Sequence, residues 1–299
     1  MKVSKIVAAT DFSSASEIAV QQAAWIAAGN AASHFEIVHA LPPGPPEALR
    51  QLLAGAGLDD AHWQGLAAQR LSEFVDRVLP AGPPAGQHIV HGKPAAALAA
   101  WAHATAADLL VLGAHGEHPL FDLFVGSTVH QLLRLSPVPV LLVKRPQPEH
   151  YRRVLIATDF SPAAEEAAAK VAELLPEAEL HLLHVFEIPH ERQLYYAGCE
   201  AETVEHYRAL GEQAARQRMQ RLIAGLPQPA RYRGHVEPGY PPRRIKRRLA
   251  EDGAELLVVG AHRRSPLETL LLGSVAAHLV NEAASDLLLI SSLADAPDR

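Results

Sequence analysis

The chain has 299 residues, of which 48% are hydrophobic and 20% charged, a composition typical of a water-soluble protein large enough for two domains. Its formal net charge of -6 argues against a nucleic-acid partner, because nucleic-acid-binding proteins usually carry a basic surplus. The sequence shows no signal pattern, no apolar run near the ~20 residues that cross a bilayer, and no cysteine besides Cys199. These features predict a cytoplasmic protein with no membrane partner.

Short apolar runs alternate with helical patterns along the first half of the chain. The predicted strands are residues 5–10, 35–41, 87–91, 109–114 and 138–144. The predicted helices are residues 13–31, 59–79, 95–105 and 127–135. Spacing near 3.6 residues in the second helix predicts a single core-facing side formed by Trp63, Leu66, Phe74, Val75 and Val78.

The second half repeats the first. KIVAATDFS at 5–13 returns as RVLIATDFS at 153–161, and ADLLVLGAH at 107–115 returns as AELLVVGAH at 254–262. The strands are predicted again, at 154–158, 179–186, 231–237, 256–261 and 287–291. A long helix at 201–226 is predicted to bury Val204, Leu210, Met219, Leu222 and Ile223.

A repeat this long indicates a duplicated domain. The prolines and polar residues of 145–151 are typical of a linker, so the predicted domains are residues 1–145 and 152–299. Alternating strands and helices predict an α/β fold with two tandem, doubly wound, parallel five-stranded sheets. In such sheets ligands bind beyond the carboxyl ends of the strands.

A glycine-containing loop lies at that edge in the first copy. Gly113 and Gly116 follow the fourth strand, and Gly126 with Ser127 opens the next helix. A helix start suits phosphate, since its N–H groups are free and its dipole is positive there. Ser127 and the following threonine either cap this helix or bind phosphate. Asp11 either stabilises the helix after the first strand or contacts a ligand.

Together these residues resemble the universal stress protein family, whose nucleotide motif is G-x-x-G, nine residues, then G-[ST]; the ATDFS sequence and the His39 position resemble it too. The resemblance covers both halves and implies a tandem, Rossmann-like stress-response protein. It implies that the first copy binds ATP, ADP or AMP, with Mg²⁺ accompanying ATP. The implied binding residues are Ala9, Thr10, Asp11, Ala40, Leu112, Gly113, Ala114, His115, Gly116, Gly126, Ser127 and Thr128.

The second copy departs from the motif because Arg263 replaces the second glycine. Its guanidinium either clamps a phosphate or plugs the site; we expect a weakened site and a backbone that turns differently there. The corresponding residues of this altered site are Ala157, Thr158, Asp159, Val185, Val259, Gly260, Arg263, Gly273, Ser274 and Val275.

No pattern of a dedicated enzyme or metal site accompanies the motif. The 17 histidines show no tight Cys/His or HExxH spacing, and there is no P-loop and no G-x-S-x-G sequence. We therefore expect no metal site, no catalytic residue and little turnover. The alternatives are a slow ATPase or self-phosphorylating protein, and a scaffold that binds no nucleotide.

The fifth strands bear on assembly. SPVPVLLVK at 136–144 resembles the terminal edge strand through which domains of this family pair. This implies that the two copies pair as an intramolecular pseudo-dimer, and an exposed edge also favours a homodimer of the whole chain. No motif identifies a downstream protein partner.

Overall fold

The computed structural model describes residues 3–32, 34–42, 60–114, 126–147, 150–187, 201–263 and 273–293. The chain divides into two compact units, Met1–His150 and Tyr151–Arg299. Each unit repeats the same succession of strands and helices, as the internal sequence repeat predicts.

The first unit contains a parallel five-stranded sheet. Its strands are β1 (Lys5–Thr10), β2 (His34–Leu41), β3 (Gly86–His91), β4 (Leu109–Gly113) and β5 (Val140–Val143). Its helices are α1 (Ser14–Gly29), α2 (Asp60–Val78), α3 (Pro94–Ala104) and α4 (Ser127–Leu135). The spatial order β3-β2-β1-β4-β5 places the crossover of a doubly wound sheet between β1 and β4.

The second unit has the same topology. Its strands are β6 (Arg153–Ala157), β7 (Glu179–Phe186), β8 (Tyr232–Pro238), β9 (Leu256–Arg263) and β10 (Asp286–Leu293). Its helices are α5 (Pro162–Leu174), α6 (Ala201–Gly225), α7 (Pro241–Asp252) and α8 (Ser274–Glu282). The order β8-β7-β6-β9-β10, parallel throughout, confirms the predicted fold class.

The central strands form the core because they are apolar on both faces. Ile6 and Val7 of β1 and Leu110 and Val111 of β4 are completely buried. This is the burial expected of parallel strands that helices cover on both sides. The carboxyl ends of these strands are thereby held in fixed positions, and the candidate site lies there.

Three predicted core residues of the long helices are exposed. Trp63 and Leu66 of α2 are 42% and 46% exposed, and Leu210 of α6 is 49% exposed. The predictions were wrong for these residues and correct for the C-terminal part of α2, where Phe74 and Val78 are buried. Helical periodicity identifies one side of a helix, but it does not determine how far along the axis the sheet extends beneath that side.

The start of β5 also differs from the prediction. The strand begins at Val140, two residues later than expected. Ser136 forms a turn in the preceding segment, since its hydroxyl donates to the carbonyl of Val138 at 2.9 Å and accepts from the Val138 N–H at 3.3 Å. A side chain that satisfies local backbone groups competes with the regular strand.

Candidate functional site

In each unit the sequence Ala-Thr-Asp-Phe-Ser runs from the end of the first strand into the turn that follows. A buried threonine sets this turn. The Oγ1 atoms of Thr10 and Thr158 accept hydrogen bonds from the N–H groups of Phe12 at 2.9 Å and Phe160 at 3.0 Å. Both phenylalanines have a positive φ, 67° and 63°. The threonines therefore stabilise a left-handed conformation that is unfavourable for a bulky residue.

The aspartate of this turn holds the residue that caps the next helix. Asp11 Oδ1 accepts from the N–H of Ser13 at 3.1 Å and from its hydroxyl at 2.5 Å, while Ser13 Oγ accepts the N–H of Ser16. In the second unit, Asp159 Oδ1 accepts from the N–H of Ser161 at 3.0 Å, and Ser161 caps α5. Each aspartate thus has a structural role through one carboxylate oxygen.

A histidine of the second strand fastens the same turn. The Nδ1 atoms of His39 and His184 lie 2.8 Å from the carbonyl oxygens of Thr10 and Thr158. A carbonyl only accepts hydrogen bonds, so Nδ1 carries the proton in both rings. Burial lowers the pKa of His184, which keeps this imidazole neutral near pH 7.

The first glycine of the motif is required by packing. A Cβ atom on Gly113 would lie 2.8 Å from backbone atoms of Ala15 in α1. A Cβ atom on Gly260 would lie 2.7 Å from backbone atoms of Ala163 in α5. Glycine at these two positions therefore lets the strand end pass directly under the start of the helix.

The glycine before the last helix of each unit has no such neighbour in the described part of the chain. A Cβ atom on Gly126 would lie no closer than 4.0 Å to any of these residues, and one on Gly273 would have none of them within 4 Å. Both residues are the N-caps of their helices, with φ of -60° and -56°, which any residue adopts, and neither helix has a side-chain cap. Ser127 and Ser274 are the first helical residues, so of the two alternatives for Ser127 the capping one was wrong.

In the second unit these elements enclose a cavity of about 270 Å³ at the carboxyl edge of the sheet. Nine of the ten residues predicted for this site line it. They are Ala157, Thr158, Asp159, Val185, Val259, Gly260, Gly273, Ser274 and Val275. A cavity of this size approaches the volumes typical of small-molecule sites.

Sequence reasoning missed part of the cavity wall. Pro241 and Ile245 of α7 contribute apolar surface, and His184 adds a polar group. The contribution of Pro241 could have been predicted from the sequence, because a proline in the first turn of a helix that directly follows a strand marks a chain reaching the same sheet edge. The contribution of Ile245, one turn further on, depends on how α7 is tilted.

In the first unit the described site residues lie at the corresponding positions. Ala9 and Thr10 end β1 and Asp11 follows it, Ala40 is near the end of β2, and Leu112 and Gly113 end β4 with Ala114 directly after them. The N–H of Gly126 donates to the carbonyl of Ala114 at 3.2 Å, which brings the start of α4, with Ser127 and Thr128, to the end of β4. His115 and Gly116 lie outside the described residues.

The departure from the motif in the second unit coincides with a longer strand. The prediction ended β9 at residue 261, but β9 continues to Arg263, which pairs with Leu293 of β10. In the first unit β4 ends at Gly113, the counterpart of Gly260. Arg263 therefore occupies extended backbone and meets no left-handed penalty.

A polar cluster joins α7 to β7 and β8 in the second unit. His235 Nε2 lies 3.2 Å from His181 Nδ1, and His235 Nδ1 lies 3.0 Å from Arg248 Nη2. Because a guanidinium only donates, His235 accepts a hydrogen bond from Arg248, whose Nη2 lies 3.0 Å from Nδ1 and 3.3 Å from Nε2 of the ring. Arg248 also binds Asp252 at 2.6 Å and Glu237 at 3.1 Å. The His235 imidazole is thus neutral in this network.

Acid is expected to destabilise the second unit through this cluster. Burial, followed by the charges of Arg248 and His181, lowers the pKa of His235. Below the ordinary histidine pKa of about 6.5 the unfolded chain then binds more protons than the folded one, so the free energy of unfolding falls as the pH drops through the folded-state pKa. Denaturant unfolding between about pH 8 and about pH 5 measures this decline.

The matched variants are His235→Gln and His206→Gln, which removes an exposed histidine of α6. The first should flatten the pH dependence of the unfolding free energy, and the second should leave it as in the unchanged chain. An equally steep decline in His235→Gln would contradict the assignment.

Comparison with known proteins identifies the family to which this architecture belongs. The Universal stress protein family matches residues 2–144 and again residues 150–291. The chain belongs to the universal stress protein family. Within that family, it is similar to the Universal stress protein E homolog of Haemophilus influenzae, with 27% identity over 201 residues. That alignment covers 60% of this chain and spans 61% of the length of the relative.

Solved structures of this family share the fold over nearly the whole chain. A universal stress protein from Archaeoglobus fulgidus is 16% identical with a TM-score of 0.62, covering 97% of this chain and 99% of its own. A putative universal stress protein from Pseudomonas aeruginosa is 18% identical with a TM-score of 0.59, covering 97% and 93%. At these identities the likeness supports the tandem fold.

Two features are absent from the described residues, a membrane-spanning helix and a metal-binding cluster. Within these ranges, no helix combines the length and apolarity that crossing a membrane requires. The same residues contain no group of three or more His, Cys, Asp or Glu side chains arranged to hold a metal ion.

Proposed function

We propose that this universal stress protein binds ATP, ADP or AMP, mainly in a first domain spanning residues 1–145, and acts as a nucleotide-dependent stress or regulatory module. The observation that carries the proposal is the cavity at the carboxyl edge of the second sheet, because the residues around it have direct counterparts in the first unit. In the first unit the glycine motif is intact. We therefore assign the tighter site to that unit.

The phosphates belong at the start of α4. The helix has no side-chain cap, so the N–H groups of its first turn are available to an anion, and Ser127 adds a hydroxyl. Among the described residues none comes closer than 4.0 Å to the Cβ position of Gly126, which leaves room there for a ligand. Mg²⁺ would accompany ATP through the phosphate oxygens.

The nucleoside belongs between the ends of β1 and β2. Ser13 engages Oδ1 of Asp11, so a ribose hydroxyl would donate to the other oxygen, Oδ2. The backbone of Ala40 would contact the base, and the buried side chains of Ala9 and Leu112 would supply apolar surface. In the domain of residues 152–299 the same arrangement, altered at Arg263, would bind a second nucleotide more weakly.

The test is equilibrium dialysis of ATP against the full chain. Gly116→Arg should weaken tight binding by about tenfold or more, equivalent to about 1.4 kcal/mol, because a bulky side chain would occupy the phosphate region. Gly273→Val, at the corresponding helix start of the second unit, should change tight binding little. Equal losses from the two variants would contradict the assignment to the first unit, and no binding by the unchanged chain would contradict the proposed function.

Arg263→Gly tests the second unit. If Arg263 plugs the site, this change restores the family motif and should raise the stoichiometry from about one nucleotide per chain towards two. If the arginine clamps a phosphate, Arg263→Gly and Arg263→Ala should both weaken nucleotide binding in this unit, since a charge-assisted hydrogen bond is lost. Isothermal titration counts the sites, and an unchanged or lower stoichiometry would contradict the plug.

We also propose a cytoplasmic location and a homodimer. The single cysteine suits a reducing compartment, and the terminal strand motif at 136–144 suits pairing between chains. Sedimentation equilibrium measures the mass, and a monomer at all concentrations would contradict the dimer.

A further inference from the structure

The same three-membered stack of side chains stands behind the candidate site in both units. The ring centroid of Phe160 lies 4.1 Å from that of His184, and Arg218 Cζ lies 5.5 Å from the Phe160 ring. In the first unit, the corresponding distances are 4.3 Å from the Phe12 ring to the His39 ring and 4.6 Å to Arg70 Cζ. The turn after the first strand, the second strand and the long helix each contribute one member.

The phenylalanine of this stack is held in an unfavourable backbone conformation. Its φ is 67° in Phe12 and 63° in Phe160, in the left-handed region that side chains of this size rarely adopt. The two peptide groups before it are both held by hydrogen bonds. In the second unit Thr158 Oγ1 accepts the Phe160 N–H, and the Thr158 carbonyl accepts from His184. Such conformations persist only where the surroundings enforce them, and they concentrate at functional sites.

Of the three members of the stack in the second unit, His184 borders the cavity. Thr158, Asp159 and His184 line the cavity of the second unit, whereas Phe160 and Arg218 line a separate groove between α5 and α6. Phe160 is only half-buried, so it is not a central core residue. Its ring instead connects the helix α6 to the turn that carries Thr158 and Asp159.

We propose that Phe12 and Phe160, each held between a histidine and an arginine, are positioning residues for the nucleotide sites. The inference rests on the proposed function. The ring and the cation hold the left-handed turn, and the turn directs the aspartate toward the nucleoside. The residue contributes to affinity through its neighbours and does not contact the ligand.

The stack in the first unit gives the clearest test, because the tighter site is assigned there. Phe12→Ala removes the ring and retains the left-handed penalty, whereas Phe12→Gly removes both the ring and the penalty. Both variants should weaken ATP binding by about tenfold, while the glycine variant should have the higher melting temperature. A purely structural role would make affinity follow stability. Phe12→Tyr, which retains the ring, should bind ATP as tightly as the unchanged chain.

Arg70→Ala should weaken ATP binding in the same direction. Arg77→Ala is the matched control on the same helix, since Arg77 pairs with Glu17 and lies over the ring of Phe74, which meets the Phe12 ring edge-on at 5.6 Å but is not a member of the stack. ATP binding is measured by equilibrium dialysis, and amide hydrogen exchange of the segment from Thr10 to Ser13 is measured without ligand. Exchange should become faster in Phe12→Ala and Arg70→Ala and remain unchanged in Arg77→Ala.

Wild-type affinity in Phe12→Ala, or affinity that recovers together with stability in Phe12→Gly, would overturn the inference. Failure of the unchanged chain to bind ATP would contradict the proposed function. The hydrogen exchange then decides on the stack separately, because unchanged exchange in Phe12→Ala and Arg70→Ala would show that the ring and the cation do not hold the turn.

Discussion

Gly260→Val is expected to lower the free energy of unfolding of the second unit by about 3 kcal/mol or more. Even the first added atom, Cβ, would lie 2.7 Å from backbone carbon and oxygen atoms of Ala163. Because these neighbours are backbone atoms, they yield only if the start of α5 moves away from β9. Calorimetry or denaturant unfolding of the full chain measures the loss.

Glycine at the other end of the cavity provides the control. At Gly273 an added Cβ meets no atom of the described residues within 4 Å, and the backbone with φ of -56° suits alanine. Gly273→Ala should therefore change stability by less than about 1 kcal/mol, because alanine reduces the entropy of the unfolded chain but is a poorer N-cap than glycine. Gly260→Ala should still destabilise by about 1–3 kcal/mol. Equal effects of the two alanine variants would contradict the packing role of Gly260.

Tyr151→Phe is expected to destabilise the second unit by about 1.5–3 kcal/mol. The hydroxyl of Tyr151 donates to Asp286 Oδ2 at 2.7 Å, and both side chains are buried, with 3% and 0% exposure. Removing the hydroxyl takes a hydrogen-bond donor from a carboxylate that water does not reach. Asp286→Asn provides the matched control, because the amide oxygen can still accept from Tyr151, and its effect should be smaller.

The difference between Tyr151→Phe and the unchanged chain should shrink in alkaline solution. Burial first, and then the charge of Asp286, raises the pKa of Tyr151 well above its ordinary value of about 10. Above that ordinary value the unfolded chain loses the proton while the folded chain retains it, so stability falls as the pH rises. The phenylalanine variant lacks this decline. A constant difference between the two chains from neutral to alkaline pH would contradict the buried assignment.

Several errors of prediction have one cause. Trp63, Leu66 and Leu210 have the right spacing for a core-facing side, but they are exposed, since spacing along one helix carries no information about where its neighbours end. The same limit applies to Ile245, which reaches the cavity only because of the path of α7. The error at Ser127 has a different source: capping was one alternative for this serine, but Gly126, one residue earlier, is the N-cap of α4.

The sequence by itself determined the tandem organisation, the order of the elements and the edge of each sheet at which the site lies. These follow from local patterns, namely the repeated ATDFS, the alternation of apolar runs and the rule that parallel strands end together. Only the tertiary structure separated Gly113 and Gly260, which packing requires, from Gly126 and Gly273, where an added Cβ would come no closer than 4.0 Å to any of the described residues. It alone joined His184, Phe160 and Arg218 into one stack. The reason is physical: a glycine requirement or a side-chain stack depends on distances between segments far apart in the chain, and folding sets those distances.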